Sequence, residues 1–281
     1  MAKEIGIIGA GAWGLALSKL LADKGEAITL WCHGEETYRE LEQTRQRPAY
    51  LPGVSLPHAI TLTRALEELA GKRLIIFATP SHVTRELAAA AAARIGRDTI
   101  VVCATKGLEE GTLRTMGEVL AEELGGEREP QLAFLSGPTF ALEVARGLPA
   151  AITVAAYRDA VCKEIQETLS TQSFRVYTSA DVTGVQMGGV VKNVIAIAAG
   201  ISDGLGLGHN ARAALVTRGL AEMTRLAARM GADPVTLAGL PGLGDLVLTC
   251  AGDLSRNRRV GLAIAAGKSL SEILETKGGI A

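Results

Sequence analysis

Cysteine is scarce and scattered. Cys32, Cys103, Cys162 and Cys250 lie far apart and form no Cys-x-x-Cys pair. Zinc-ribbon and dithiol redox motifs are therefore unsupported, no metal site is expected, and a reduced, cytoplasmic setting is the simpler expectation. Charge of one sign is not in excess either: 29 Lys and Arg face 30 Asp and Glu, for a formal net charge of −1. That argues against binding nucleic acid through bulk charge, so any anionic partner must be held by a local cluster. Long apolar runs are missing as well. A membrane span needs about 18 uncharged apolar residues. The nearest approach, residues 190–201, is interrupted by Lys192 and Asn193, and no membrane span is predicted. The opening residues Met1 to Ile5 run straight into a strand-like segment without signal-peptide architecture.

What is present is a chain of 281 residues, 48% hydrophobic, which suits two domains at roughly 150 residues each. The first half alternates short apolar runs (4–8, 27–32, 74–79, 99–104, 131–135 and 151–155) with longer helical patterns such as 13–23 and 82–94. Buried runs rich in Ile, Val and Leu with helices between them indicate a parallel sheet covered on both faces, an α/β fold. From Val182 onward the pattern contains no convincing strand, and 185–202, 212–230 and 256–266 read as helices. Turn-rich breaks at 204–208, Asp233-Pro234 and Pro241-Gly242 separate them. The predicted division is a sheet domain over 1–181 and an all-helical domain over 182–281.

Gly9-Ala10-Gly11-Ala12-Trp13-Gly14 follows the first strand and opens a helix. In that strand–turn–helix context the spacing marks a Rossmann-type dinucleotide site. Gly9 permits the tight turn, Gly11 lets backbone approach a pyrophosphate, and Gly14 lets the helix pack on the strand. Ala12 and Trp13 then sit at the helix N-terminus, where free N–H groups favour an anion. The second strand ends at Trp31-Cys32-His33 with no acid at its tip; Glu35 and Glu36 follow. An acid there would bind the ribose 2′-OH and repel a 2′-phosphate. Its absence leaves both NAD(H) and NADP(H) open. His33 is either beside the adenosine or an ordinary loop histidine.

A Rossmann fold leaves the substrate undetermined, so function must come from particular residues. Lys192 is a single cation in an apolar helix, with Gly188 and Gly189 one turn earlier. Burying an ammonium is costly without a partner. A lysine held this way can exchange a proton with a hydroxyl or carbonyl oxygen; the alternative is a lysine that snorkels to solvent. Asp245 follows Gly242-Leu243-Gly244 and precedes Thr249. Ser255 is a good N-cap for the helix from Arg256. Arg256, Arg258 and Arg259 in its first turn oppose the helix dipole, which makes sense where an anion docks.

Taken together, these segments resemble the NAD(P)-dependent glycerol-3-phosphate dehydrogenases of bacterial type. The resemblance also covers Thr105-Lys106-Gly107, Ser136-Gly137-Pro138-Thr139-Phe140-Ala141-Leu142-Glu143 and the segment around Asn210–Leu220, in order along the whole chain. It implies reduction of dihydroxyacetone phosphate to sn-glycerol 3-phosphate with NAD(P)H, cytoplasmic phospholipid supply and a homodimer. By the same resemblance Lys192 is the proton donor, with Asp245 and Lys106 as its catalytic companions. Gly137, Thr139, Asn193, Thr249, Ser255, Arg256 and Asn257 contact substrate. Ala141 and Arg256 join the glycine-rich turn at the cofactor, with Lys106 and, from its place after the second strand, His33 as further candidates. Hydroxyacid and ketopantoate reductases, or a nucleotide sensor without turnover, are the rival readings; the joined segments 242–250 and 255–259 argue against the reductases, and the Lys192–Asp245 pair against the sensor. Compared with that family the chain is short beyond residues 269–275, so the helical domain is expected to be incomplete at its C-terminal end.

Overall fold

The computed structural model describes residues 2–275; the terminal segment 276–281 lies outside the described residues. Two compact units make up the chain. One comprises the residues up to Leu135 together with Ala141–Val182, the other Ser136–Phe140 together with the described residues from Thr183 onward.

The first unit is built on an eight-stranded sheet. Its strands are β1 (Glu4–Ile8), β2 (Ala27–Trp31), β3 (Thr61–Thr63), β4 (Leu74–Phe77), β5 (Ile100–Cys103), β6 (Leu132–Ser136), β7 (Ala150–Ala156) and β8 (Phe174–Ser179). The helices between them are α1 (Ala12–Asp23), α2 (Glu35–Thr44), α3 (Ser81–Ala91), α4 (Met116–Leu124), α5 (Ala141–Ala145) and α6 (Asp159–Leu169). The spatial order is β3-β2-β1-β4-β5-β6-β7-β8. β1 pairs in parallel with both β2 and β4, and β2–β3, β4–β5, β5–β6 and β7–β8 are parallel too. Every residue of β4 and β5 is buried, so both faces are covered, as their unbroken Ile, Val, Leu and Phe runs require.

Strand order reverses between β1 and β4, the position at which a doubly wound sheet opens a crevice. Ladder bonds continue past the strand ends: Ala78 N–H donates to Ile8 O at 2.9 Å, Ala104 N–H to Phe77 O at 2.8 Å and Cys32 N–H to Thr63 O at 2.8 Å. The turns carrying Gly9, Cys32–His33, Thr79 and Lys106 thus leave the sheet along one edge.

Two strands were not predicted from the sequence. β3 is only three residues long, too short to carry a pattern. β8 alternates, with Phe174 and Val176 buried and Arg175 and Tyr177 exposed, so it does not form an apolar run.

The second unit holds α7 (Val182–Gly204), α8 (Gly208–Arg229), α9 (Pro234–Ala238), α10 (Asp245–Ala251), α11 (Arg256–Ala265) and α12 (Leu270–Glu275), with a single π-helical turn over Leu240–Gly244. Met187, Ala196, Ala199, Met223, Ala227, Leu237, Leu246 and Cys250 form its core. Side chains start its short helices: Asp233 accepts from Val235 N–H at 2.8 Å and Ser255 Oγ from Arg258 N–H at 3.2 Å. α7 has 23 residues and a mean hydropathy of 1.4 in its most apolar window, long and apolar enough to cross a membrane by that measure. Half of that window is buried, and Met187, Ala196 and Ala199 pack into the core of the unit.

Candidate active site

In the first unit the glycine-rich turn has three glycines with three different needs. Gly9 adopts φ +116°, and a Cβ on it would lie 2.6 Å from Ala78 O. A Cβ on Gly14 would lie 1.8 Å from Gly9 O, so α1 crosses the turn in direct backbone contact. Around Gly11, by contrast, a Cβ meets nothing within 4 Å. The fold itself does not need glycine there. That leaves its backbone open to the close approach that a dinucleotide pyrophosphate would need. No side chain caps the N-terminus of α1 and no acid lies in its first turn, which keeps that end favourable to an anion. The residues present therefore fit a dinucleotide. Ala12 and Trp13, both partly exposed, begin the helix.

At the end of β2 the Trp31 and His33 rings lie 5.7 Å apart, with His33 exposed. Glu35, the first acid after β2, is engaged by Arg39 at 2.7 Å and by Arg64. One contact escaped sequence reading: Arg47 Nη1 donates to Ala10 O at 2.7 Å, and its guanidinium covers the Tyr50 ring at 4.3 Å. It braces the glycine-rich turn from a distant loop, and no local pattern signals that. Lys106 leaves the carboxyl end of β5, partly exposed, and Ala141 is the first residue of α5. The loop after Lys106 is fastened by Arg85, which holds Glu109 at 2.5 Å and 2.9 Å.

In the second unit Lys192, 8% exposed, points at α10. Its Nζ donates to Asp245 Oδ1 at 2.6 Å and to Thr249 Oγ1 at 2.9 Å. Thr249 Oγ1 in turn donates to Asp245 O at 2.6 Å. Asp245 and Thr249 are one turn apart on α10, so both face the lysine. Asp245 is the first residue of α10, and its carboxylate receives Lys192. The lysine does not snorkel to solvent. Burying this ammonium is tolerated because a carboxylate and a hydroxyl both receive it. The neighbouring Cys250 thiol is pushed up to about 11 by burial, with Lys192 opposing, and so stays neutral. Asn193 lies one residue along α7 and is partly exposed.

Gly137 is buried beyond β6, and Thr139 Oγ1 donates to Gly137 O at 3.3 Å. Among the residues at the start of α11, Ser255 and Asn257 are buried and Arg256 is exposed. Asn257 Oδ1 has no hydrogen-bond partner among the described residues, nor has Ser136 Oγ at the end of β6. The first-turn arginines require a correction. Arg258 is not available to an external anion: its Nε donates to Asp203 Oδ2 at 2.8 Å and its Nη1 to Asp253 Oδ1 at 3.0 Å. Asp203 comes from the end of α7 and also receives Arg212 at 3.1 Å. Helix packing brings that acid alongside, and sequence spacing could not show it.

The structure thus joins Lys192, Asp245 and Thr249 directly, gathers Ser255, Arg256 and Asn257 on one helix end, and aligns the glycine-rich turn, His33 and Lys106 along one sheet edge.

Comparison with known proteins agrees with these features. The model of the NAD-dependent glycerol-3-phosphate dehydrogenase N-terminus matches residues 4–162 and that of the C-terminus residues 181–281. A glycerol-3-phosphate dehydrogenase [NAD(P)+] of Geobacter sp. (strain M21) is 50% identical over 275 residues, covering 98% of this chain and 82% of the relative. Its counterpart from Myxococcus xanthus is 51% identical over 269 residues, covering 95% and 80%. A crystal structure of the Coxiella burnetii glycerol-3-phosphate dehydrogenase superposes with a TM-score of 0.91 at 43% identity, covering 96% of this chain and 82% of that one. This chain belongs to the NAD-dependent glycerol-3-phosphate dehydrogenase family.

Proposed function

We propose that the chain catalyses the reversible NAD(P)H-dependent reduction of dihydroxyacetone phosphate to sn-glycerol 3-phosphate, with Lys192 as proton donor in reduction and acceptor in oxidation. One observation carries the reading: the buried Lys192 ammonium held by Asp245 at 2.6 Å and Thr249 at 2.9 Å. Family membership supplies the substrate, and the site chemistry agrees with it. The nucleotide is assigned chiefly to residues 1–181 and the substrate chiefly to residues 182–281, with Ser136–Phe140 clustering in the second unit.

Gly9, Gly11, Ala12, Trp13 and Gly14 would hold the pyrophosphate, with His33, Lys106, Ala141 and Arg256 along the rest of the cofactor. When bound, the nicotinamide supplies the hydride to the carbonyl carbon in reduction and takes it up in oxidation. Lys192 Nζ gives its proton to the carbonyl oxygen as negative charge develops there, and the lysine is left neutral until solvent reprotonates it. Asp245 keeps the lysine charged beforehand and Thr249 fixes its direction. Lys106, Gly137, Thr139 and Asn193 orient the substrate. Ser255, Arg256 and Asn257 receive its phosphate, and that remote binding positions the reacting carbon. Lipid-precursor supply, a cytoplasmic setting and a homodimer belong to the same proposal; the free, buried state of all four cysteines supports a reducing compartment.

Lys192→Ala tests the reading. Oxidation of NADPH and NADH with dihydroxyacetone phosphate should fall by about 10²- to 10⁴-fold, the usual contribution of a positioned acid. Nucleotide binding, followed by fluorescence titration, should be unchanged. Retention of most of the turnover would exclude Lys192 as proton carrier.

A further inference from the structure

α7 is pressed against the segment that carries Asp245. A Cβ on Gly188 would lie 2.3 Å from Pro241 O, 2.6 Å from Pro241 C and 3.1 Å from Gly242 N. These are backbone atoms, and they cannot swing aside. Gly242 is itself wedged from behind, since a Cβ there would lie 2.0 Å from Leu237 O. Pro241 and Gly242 are buried in the π-helical turn Leu240–Gly244, which runs directly into α10 at Asp245.

The two contacts are in register. Gly188 and Lys192 are one helical turn apart and share a face of α7. On the facing segment Pro241 and Asp245 have the same separation in sequence. Gly188 meets Pro241, and Lys192 meets Asp245. We infer that Gly188 is a positioning residue for the Lys192–Asp245 pair: its missing side chain sets the distance between α7 and the π-helical turn at which that pair forms. The inference rests on the proton-transfer role given to Lys192 above.

A methyl group at Gly188 must open the contact from 2.3 Å to the ordinary 3.4 Å, a displacement of roughly 1 Å. The same movement takes the 2.6 Å bond from Nζ to Asp245 beyond hydrogen-bond range. Thr249 lies on the same helix as Asp245, so it recedes with it. A misplacement of about 1 Å at a reacting group can cost on the order of 10²-fold in rate.

The test is a double-mutant cycle on the full chain. Gly188→Ala should lower kcat for dihydroxyacetone phosphate by about 10²-fold, with KM for NADPH unchanged. The double variant Gly188→Ala/Lys192→Ala should fall no further than Lys192→Ala alone, because both act through one group. Additive losses, or a kcat that survives with only a lower melting temperature, would reduce Gly188 to a packing role and overturn the inference. Pro241→Ala, which adds no atom, covers the case in which Gly188→Ala does not fold. It loosens the turn that presents the carbonyl, so it should lower kcat severalfold in the wild type and not at all in the Lys192→Ala background. Additivity there counts against the inference equally. If Lys192→Ala itself keeps its turnover, the proton-transfer reading fails first, and the two failures are thereby told apart.

Discussion

Among single residues the glycine-rich turn separates folding from binding. Gly14 is glycine because of the protein: its Cβ would sit 1.8 Å from Gly9 O. Gly11 has open space where a Cβ would go, so packing does not require glycine there, and the proposed pyrophosphate contact would. Gly14→Ala should therefore destabilise the chain by about 3 kcal/mol through overpacking against rigid backbone. Gly11→Ala should leave the melting temperature nearly unchanged and weaken NADPH binding at least tenfold, about 1.4 kcal/mol. Thermal melting and fluorescence titration of both variants check the split, and a Gly11→Ala variant that binds nucleotide normally would contradict it. The sequence singled out all three glycines by their spacing within a strand–turn–helix context, because the motif's chemistry is local. Lys192 stands out as a lone cation in an apolar helix, and Asp245 is named through the family resemblance. The sequence did not reveal that Gly188 touches Pro241 or that Arg47 braces Ala10, since those contacts join segments far apart in the chain.

At the level of helices, charge pairs decide where helix ends are held. Asp203, at the end of α7, binds Arg258 of α11 and Arg212 of α8. Burial alone would raise its carboxyl, but the hydrogen bonds from Arg258 and Arg212 outweigh it and the net direction is down. This cluster fixes the first turn of α11, which presents Ser255, Arg256 and Asn257. Asp203→Asn keeps the shape and removes the charge that both arginines share. Stability should drop by about 2 kcal/mol. KM for dihydroxyacetone phosphate should rise while KM for NADPH stays constant; steady-state kinetics with each substrate varied measures both. An unchanged substrate KM would detach the cluster from the substrate end. Helices as elements were legible, because 3.6-residue periodicity and the Ser255 cap mark them. The two outer strands on the β3 and β8 edges were not. β8 buries only one face at Phe174 and Val176, so it lacks the continuous apolar run that revealed the central strands.

Across the whole molecule other carboxylates held by hydrogen-bond donors, together with the buried thiols, set a pH window for stability. Glu109 is held down to about 2 by hydrogen bonds from Arg85 and Thr112. Glu164 is lowered by its hydrogen bond from Arg73, Glu67 by its own backbone N–H and Arg94, and Glu272 by Ser269. Each of these carboxylates prefers to be charged in the folded state. Their stabilisation is complete above the ordinary glutamate value of 4.5 and is lost as pH falls through the lowered values, toward 2 for Glu109. The thiols run the other way. Burial pushes Cys32 up to about 11 and Cys103 up to about 12, from an ordinary 9.0. The folded chain keeps their protons, so their contribution is complete below 9.0 and fades as pH rises toward 11 and beyond. The melting temperature should then be flat between about pH 5 and 8.5 and decline on both sides. Melting followed in a series of buffers checks this, and a plateau extending down to about pH 3 would contradict the acid branch. Arg85→Ala sharpens the test. Without Arg85, Glu109 loses its main hydrogen-bond donor and its folded-state value moves back toward 4.5. The variant should be less stable than the parent at neutral pH, the two should converge below the lowered carboxylate values, and the alkaline branch should be shared, since no thiol is touched. An equal difference at every pH would show that Arg85 acts through packing of α3 on α4 and not through the carboxylates it binds.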